Sequence, residues 1–238
     1  RPALLLERLR ALDAAAKDLA RRLRVEYLEY RAQSPHNPDW ACNGDLYATF
    51  RRDLDDGGYG GPTVPIVCTA RVEGARLTLD FAGTGAEARG AVNLPQSALR
   101  ASCYYAVKAV LDPSLLPNQG MIDPVRIVTV PGTIASPRPP AAVAARAVTS
   151  NRLCGAVFGA LYQALPAAEG MASCNDSTSA MTVSGWHPRR QTTYVYPESM
   201  GGGAGAFADR DGQDAVHVHT VNSTNLPIEA LELEYPLL

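Results

Sequence analysis

Two histidines separated by one residue, His217 and His219, carry the clearest chemical signal of the chain. We predict a β-strand at Val216–Val221, which would place both imidazoles on one face because side chains alternate along a strand. Imidazole titrates near neutral pH, so these two residues are our candidate catalytic groups for proton transfer.

The same pair also resembles part of a metal site, because imidazoles at this spacing can bind zinc, iron or manganese. Residues that could supply a third ligand are Asp214, His187 and Glu229. Alternatively, the two histidines brace a loop through hydrogen bonds. No third ligand is fixed by the sequence, so we predict no metal site in this chain.

A glycine run, Gly201-Gly202-Gly203-Ala204-Gly205, precedes the histidines. It contains the letters of a dinucleotide fingerprint, but the following residues predict a turn and a strand instead of the helix that would face a pyrophosphate. A P-loop motif is absent as well. We interpret the run as a tight turn or a ligand-facing loop, since glycine tolerates positive φ and close backbone approach. The predicted substrate pocket contains Gly201, Gly202, Gly203, Asn175 and Asn222.

Cys174 lies beside Asn175 and Asp176 and is a candidate nucleophile. A buried structural thiol is the favoured interpretation, because the sequence ties no base to this cysteine. The five cysteines are widely spaced and form no CxxC pair. This pattern predicts reduced thiols, not a zinc ribbon or a redox motif.

The elements that would position these residues mix long helices with clustered strands, which favours an α+β fold of mixed type. Leucine spacing predicts a helix at residues 3–31, packed on its own domain or on a partner. Further helices are predicted at Gln96–Leu111 and at Thr149–Leu165, the latter capped by Thr149 or Ser150. Strands are predicted at Thr63–Val72, Arg76–Ala82, Val125–Val130, Thr192–Val195, Val216–Val221 and Ile228–Tyr235. We divide the chain into a helical N-terminal segment at 1–54 and a mixed domain at 55–238.

Composition narrows the class of protein. The chain has 238 residues, of which 46% are hydrophobic and 19% charged, and its net charge is −2. These values are typical of globular proteins, and they give no electrostatic reason to expect nucleic acid or an anionic membrane as a partner. The sequence has neither an apolar run of about 20 residues nor a secretory signal pattern. We therefore expect a cytoplasmic protein.

Six sequence segments, taken in the order in which they occur, resemble the segments of a known protein family. They are LTLDFAGTGAEARGAVN, ASCYYAVKAVLDP, LPNQGMIDPVRIVTVPGTIASPRPPAAV, VTSNR, MGGGAGA and DGQDAVHVHTVNSTNLPIEALELEYP, between Leu77 and Pro236. Together they resemble the hydantoinase B/oxoprolinase family. The sequence departs from the family pattern at Asn151, at Ala204 and at Cys174-Asn175-Asp176, where an amide-rich pair is common.

The resemblance implies that the chain is a fragment of a larger subunit that opens cyclic amides such as hydantoins or 5-oxoproline, and that the fragment is inactive alone. ATP and Mg²⁺ would be bound by a hydantoinase A-type partner in a homo- or hetero-oligomer, and the family's His/Asp segments, its candidate metal site, would lie upstream of residue 1. An ATP-dependent ketone carboxylase subunit is the alternative within the family. A truncated structural or interaction module is the alternative outside enzymes.

Overall fold

The computed structural model describes residues 46–54, 60–73, 75–114, 116–163, 171, 172, 174, 176–221, 223 and 225–234. The predicted helix at 3–31 and the predicted pocket residues Asn175 and Asn222 lie outside this set.

A four-stranded mixed sheet contains β1 (Leu46–Leu54), β2 (Val64–Glu73), β3 (Arg76–Asp80) and β4 (Val125–Val128), in that spatial order. The β1–β2 and β2–β3 pairs are antiparallel, whereas β3 and β4 are parallel. The strand predicted at Arg76–Ala82 is confirmed as β3, and its alternation RLTLD buries Leu77 and Leu79 on one face.

The described residues also form four helices: α1 (Gln96–Leu111), the short α2 (Gln119–Ile122), α3 (Arg146–Tyr162) and α4 (Ile228–Glu234). Helix α3 packs against α1 on one side and against β1 and β2 on the other, so most of its residues are buried. An antiparallel ribbon of β5 (Ser179–His187) and β6 (Thr192–Met200) completes the described elements. Among the described helices, none combines the length and apolar character that a bilayer crossing requires.

Most predicted elements are confirmed, and the predicted helix at Gln96–Leu111 has the same limits in the structure. The α+β class is also confirmed. Residues 46–54, which we assigned to a helical N-terminal segment, instead form β1 and pair along their length with β2. The predicted boundary after residue 54 therefore cuts between two paired strands of one sheet.

Two strand predictions near the C-terminal end are wrong. The predicted strand at Val216–Val221 is irregular, and its backbone bonds the glycine run, since the Gly203 amide donates to the Val216 carbonyl at 3.0 Å. The predicted strand at Ile228–Tyr235 is helix α4 over Ile228–Glu234. The helix has a local cause, because alanine, leucine and glutamate favour a helix and Pro227 suits a helix start.

The start of α3 also differs from the prediction. The helix begins at Arg146, and its N-cap residue, Ala145, makes no side-chain capping bond. Thr149 therefore lies inside the helix, fully buried, and its hydroxyl donates a hydrogen bond to the Val92 carbonyl.

Replacing Thr149 by valine is expected to lower the free energy of unfolding by about 1–2 kcal/mol. The replacement keeps the shape of the side chain but leaves a buried carbonyl without its donor. Denaturant unfolding measures the loss. A loss smaller than about 0.5 kcal/mol for Thr149→Val would contradict the hydrogen-bond role.

Candidate functional site

A cavity of about 330 Å³ opens beside α3. Its lining residues are Arg52, Gly155, Phe158, Gly159, Tyr162, Gln163, Met171, Ala172, Cys174, Asp176 and His219. The helix contributes one face of the cavity, since Gly155, Phe158, Gly159 and Tyr162 recur at three- and four-residue spacing. The rest of the lining comes from Met171, Ala172, Cys174, Asp176 and His219, and β1 supplies Arg52.

Three side chains of different chemistry converge in this cavity. The Nε2 atom of His219 lies 3.3 Å from the Cys174 sulfur and 3.2 Å from Oδ1 of Asp176. The Cys174 sulfur lies 3.3 Å from the same Oδ1 atom. The three atoms therefore form a nearly equilateral triangle. We call Cys174, Asp176 and His219 the convergent cluster.

Asp176 is held in place by its surroundings. Its side chain is 1% exposed, and its Oδ2 atom forms an ion pair with Nε of Arg52 at 2.8 Å. Its backbone has a φ of 47°, a left-handed conformation that aspartate tolerates better than most residues. Gly155 provides the space, because a Cβ atom at that position would lie 2.1 Å from Oδ2.

His219 is positioned by aromatic packing and by its neighbour in sequence. The ring centroids of His219 and Phe158 are 4.7 Å apart. The next residue, Thr220, donates a hydrogen bond to Oδ1 of Asn151 at 2.8 Å, while Nδ2 of Asn151 donates to Thr178 at 2.7 Å. Asn151 is fully buried, so one side chain of α3 ties together the two segments that carry His219 and Asp176.

The electrostatics of the convergent cluster favour charged groups. Burial opposes the imidazolium form, but hydrogen bonds with Asp176 and Cys174 raise the pKa of His219 to about 9. Burial would raise the pKa of Asp176, yet the hydrogen bonds from His219 and Cys174 and the charge of Arg52 outweigh it and lower that pKa. At neutral pH the pair is therefore an imidazolium and a carboxylate.

Three other cysteines behave as the sequence predicted. Cys68, Cys103 and Cys154 are buried. Burial raises the pKa of each of these thiols, and that of Cys154 reaches about 12. They suit structural roles. Cys174 differs because it is partly exposed and has an imidazole within 3.3 Å, although no base near it could be identified from the sequence.

The other predicted histidine, His217, lies in a different environment. Its Nε2 atom is 3.2 Å from Oδ1 of Asn225 and its Nδ1 atom is 3.3 Å from the Ser223 hydroxyl. The same Asn225 oxygen accepts the Gly201 amide at 2.7 Å. His217 thus belongs to a hydrogen-bonded support of the glycine run, and the strand that would have paired it with His219 does not form.

The glycine run is a site of close backbone approach. A Cβ atom at Gly201 would lie 2.2 Å from the Ala215 carbonyl oxygen, and Gly203 has a φ of 109°. These contacts agree with the tight-turn interpretation. Gly201, Gly202 and Gly203 are not among the residues that line the cavity, and their role in a substrate pocket stays a prediction.

The cavity contains residues that we had not singled out for function. Arg52 and Phe158 were missed, because nothing local distinguishes them from ordinary strand and helix residues. Gly155 was missed although the sequence does contain a signal for it. The signal that was present is the small-residue spacing of Gly155 and Gly159 in an apolar helix. Such spacing permits close approach of another segment.

The fold and the motif order define a class of protein. The sequence profile of the hydantoinase B/oxoprolinase family matches residues 10–238, and the chain belongs to that family. The B-type component of a D-/L-hydantoinase from Pseudomonas sp. is 30% identical over 176 residues, which cover 71% of this chain and 29% of that protein. The 5-oxoprolinase PfmaA of Pestalotiopsis fici is 28% identical over 160 residues, or 64% of this chain and 12% of that protein.

A solved structure shares the fold. The ATP-dependent caprolactamase from Pseudomonas jessenii superposes with a TM-score of 0.65 at 21% sequence identity. The match covers 94% of this chain and 37% of the caprolactamase chain. The matched part of the chain thus corresponds to between 12% and 37% of the length of these three proteins.

Proposed function

We propose that the chain is part of an ATP-dependent hydrolase subunit that opens cyclic amides of the hydantoin or 5-oxoproline type. The match to the hydantoinase B/oxoprolinase family over residues 10–238 carries this proposal. ATP and Mg²⁺ are bound by a hydantoinase A-type partner, and ATP supplies the phosphoryl group that activates the amide oxygen. The chain itself positions the activated ring for attack by water.

The cavity beside α3 suits this role. Its volume of about 330 Å³ lies at the lower end of the range for small-molecule sites, which fits a single five- to seven-membered ring. Phe158 and Tyr162 provide apolar lining, while Arg52 and His219 provide polar groups. Of the two histidines that the sequence suggested as catalytic candidates, His219 is the one in the cavity.

The test is co-expression of the chain with a hydantoinase A-type partner, followed by measurement of ADP release and of ring-opened product. The substrates are a hydantoin, 5-oxoproline and caprolactam. We expect no turnover by the chain alone and substrate-stimulated ATP hydrolysis by the complex. His219→Gln should reduce that turnover by about 100-fold, because it removes the imidazole from the cavity. His187→Gln changes a histidine on the β5–β6 ribbon and should not reduce it.

Two outcomes would overturn the proposal. A folded complex whose ATP hydrolysis no cyclic amide stimulates would exclude amide opening. Stimulation by a ketone with bicarbonate, and by none of the cyclic amides, would instead identify a carboxylase subunit.

A further inference from the structure

Hydrogen bonds alone do not account well for the distances and directions between the side-chain atoms of the convergent cluster. The Nε2–Oδ1 distance of 3.2 Å is at the long end for a hydrogen bond between nitrogen and oxygen. The Nε2 atom faces both the sulfur and the carboxylate oxygen, but its single proton can point directly at only one of them.

The cluster is not a nucleophile–base–orienter arrangement either. In such a triad the imidazole uses one ring nitrogen for the nucleophile and the other for the carboxylate that orients it. Here both contacts of His219 fall on Nε2. A thiol that attacks a substrate after losing its proton to this nitrogen would have to compete with Asp176 for the same atom.

We propose that Cys174, Asp176 and His219 bind a zinc ion. Thiolate, imidazole and carboxylate are the ligands that zinc takes in proteins, with bonds of about 2.3 Å to sulfur and about 2.0–2.2 Å to nitrogen or oxygen. At tetrahedral angles such bonds place the ligand atoms about 3.3–3.6 Å apart. The observed separations of 3.2, 3.3 and 3.3 Å agree with this spacing to within about 0.3 Å. Among the described residues, no other set of three His, Cys, Asp or Glu side chains brings its ligand atoms within 4.8 Å of one another.

The surroundings support a cation at this point. The ion would replace the proton that Nε2 carries and would face two negatively charged ligands, a thiolate and a carboxylate. Arg52 binds Oδ2 of Asp176 and leaves Oδ1 directed at the other two ligand atoms. Hydrogen bonding of a ligand carboxylate in this way is common around metal ions and fixes its orientation.

The site would keep one open position. All three ligands line the cavity, so a fourth ligand can come from that side as water or as a polar atom of a substrate. Three protein ligands with one exchangeable position are typical of zinc sites that polarise a bound carbonyl or activate water. This inference does not depend on the proposed amide hydrolysis, because binding of the ion is measurable without turnover.

The experiment is metal binding by the purified chain after treatment with a chelator. Zinc content is measured by elemental analysis after equilibration with zinc and removal of the excess, and Co²⁺ is titrated as a spectroscopic probe. We expect about one ion per chain and a thiolate-to-cobalt charge-transfer band in the near ultraviolet, with tetrahedral cobalt absorption in the visible range.

Three variants each remove one ligand: Cys174→Ser, Asp176→Asn and His219→Gln. Each should weaken zinc binding by at least about 10-fold, and Cys174→Ser should also abolish the charge-transfer band. His217→Gln is the matched control, since it removes an imidazole two residues away that contacts Ser223 and Asn225 instead. Circular dichroism confirms that each variant is folded.

The inference is overturned if the folded wild-type chain retains no zinc. It is also overturned if the ligand variants bind zinc as tightly as wild type, if His217→Gln loses as much affinity as they do, or if bound cobalt shows no thiolate band. Failure of ATP turnover with retained zinc binding would reject the proposed function and leave this site in place.

Discussion

Replacing Gly155 by alanine is expected to lower the free energy of unfolding by about 3 kcal/mol, although alanine is normally the better helix residue. The new Cβ atom would lie 2.1 Å from Oδ2, 2.4 Å from Cγ and 2.6 Å from Oδ1 of Asp176. The carboxylate is on a short, buried side chain, so it can move away only by giving up its contacts with Arg52 and His219. A buried charge that loses its partner is strongly destabilising.

A double-mutant cycle separates this mechanism from a general helix effect. In an Asp176→Ala background the obstacle is absent, and Gly155→Ala should then stabilise the chain by about 1 kcal/mol through helix propensity. Denaturant unfolding of the wild type, the two single variants and the double variant gives the coupling free energy, which we expect to be about 4 kcal/mol. An equal effect of Gly155→Ala in both backgrounds would show that Asp176 is not what the glycine accommodates.

The second large effect is a dependence of stability on pH in the metal-free chain. The pKa of His219 is about 9 in the folded protein, above its usual value of 6.5. The folded state therefore holds this proton more tightly than the unfolded state does. Its contribution to stability is fully present below pH 6.5 and is lost as the pH rises towards 9. At about 1.4 kcal/mol per pH unit, the loss is at most about 3.5 kcal/mol.

Asp176 acts at the opposite end of the pH range. Its pKa is lowered from 3.8 in the folded state, so its contribution is present above that pH and is lost as the pH falls through the folded pKa. The metal-free chain should accordingly be most stable between these two limits, from about pH 4 to pH 6.5 as far as this pair is concerned.

Denaturant unfolding with chelator present, between about pH 6 and pH 9.5, measures the effect of His219. The difference in unfolding free energy between wild type and His219→Gln should shrink across this range, while the difference between wild type and His217→Gln should stay nearly constant. A difference for His219→Gln that does not change with pH would contradict the raised pKa.

Local sequence patterns predicted a secondary-structure element correctly where the element adopts the structure that its own residues favour. The alternation of RLTLD defined β3, and the apolar spacing of Gln96–Leu111 defined α1 with its correct limits. The same kind of evidence failed at Val216–Val221 and Ile228–Tyr235. A segment with an alternating pattern forms part of a sheet only where a neighbouring strand pairs with its backbone. Residues around Val216 bond the glycine run instead, and residues 228–234 form a helix that begins after Pro227.

The candidate site also combines features that the sequence predicts with features that only the tertiary structure shows. The sequence by itself determined the family, the α+β class and the sites of close backbone approach in the glycine run, and it named His219 as one of two candidate catalytic histidines. Only the tertiary structure placed His219 beside Cys174 and Asp176 and not beside His217. In sequence, His219 is more than 40 residues away from both partners. They meet because Gly155 leaves room for Asp176, and because Asn151 ties both segments to α3. Such contacts depend on packing between distant segments, which no local spacing of residue types encodes.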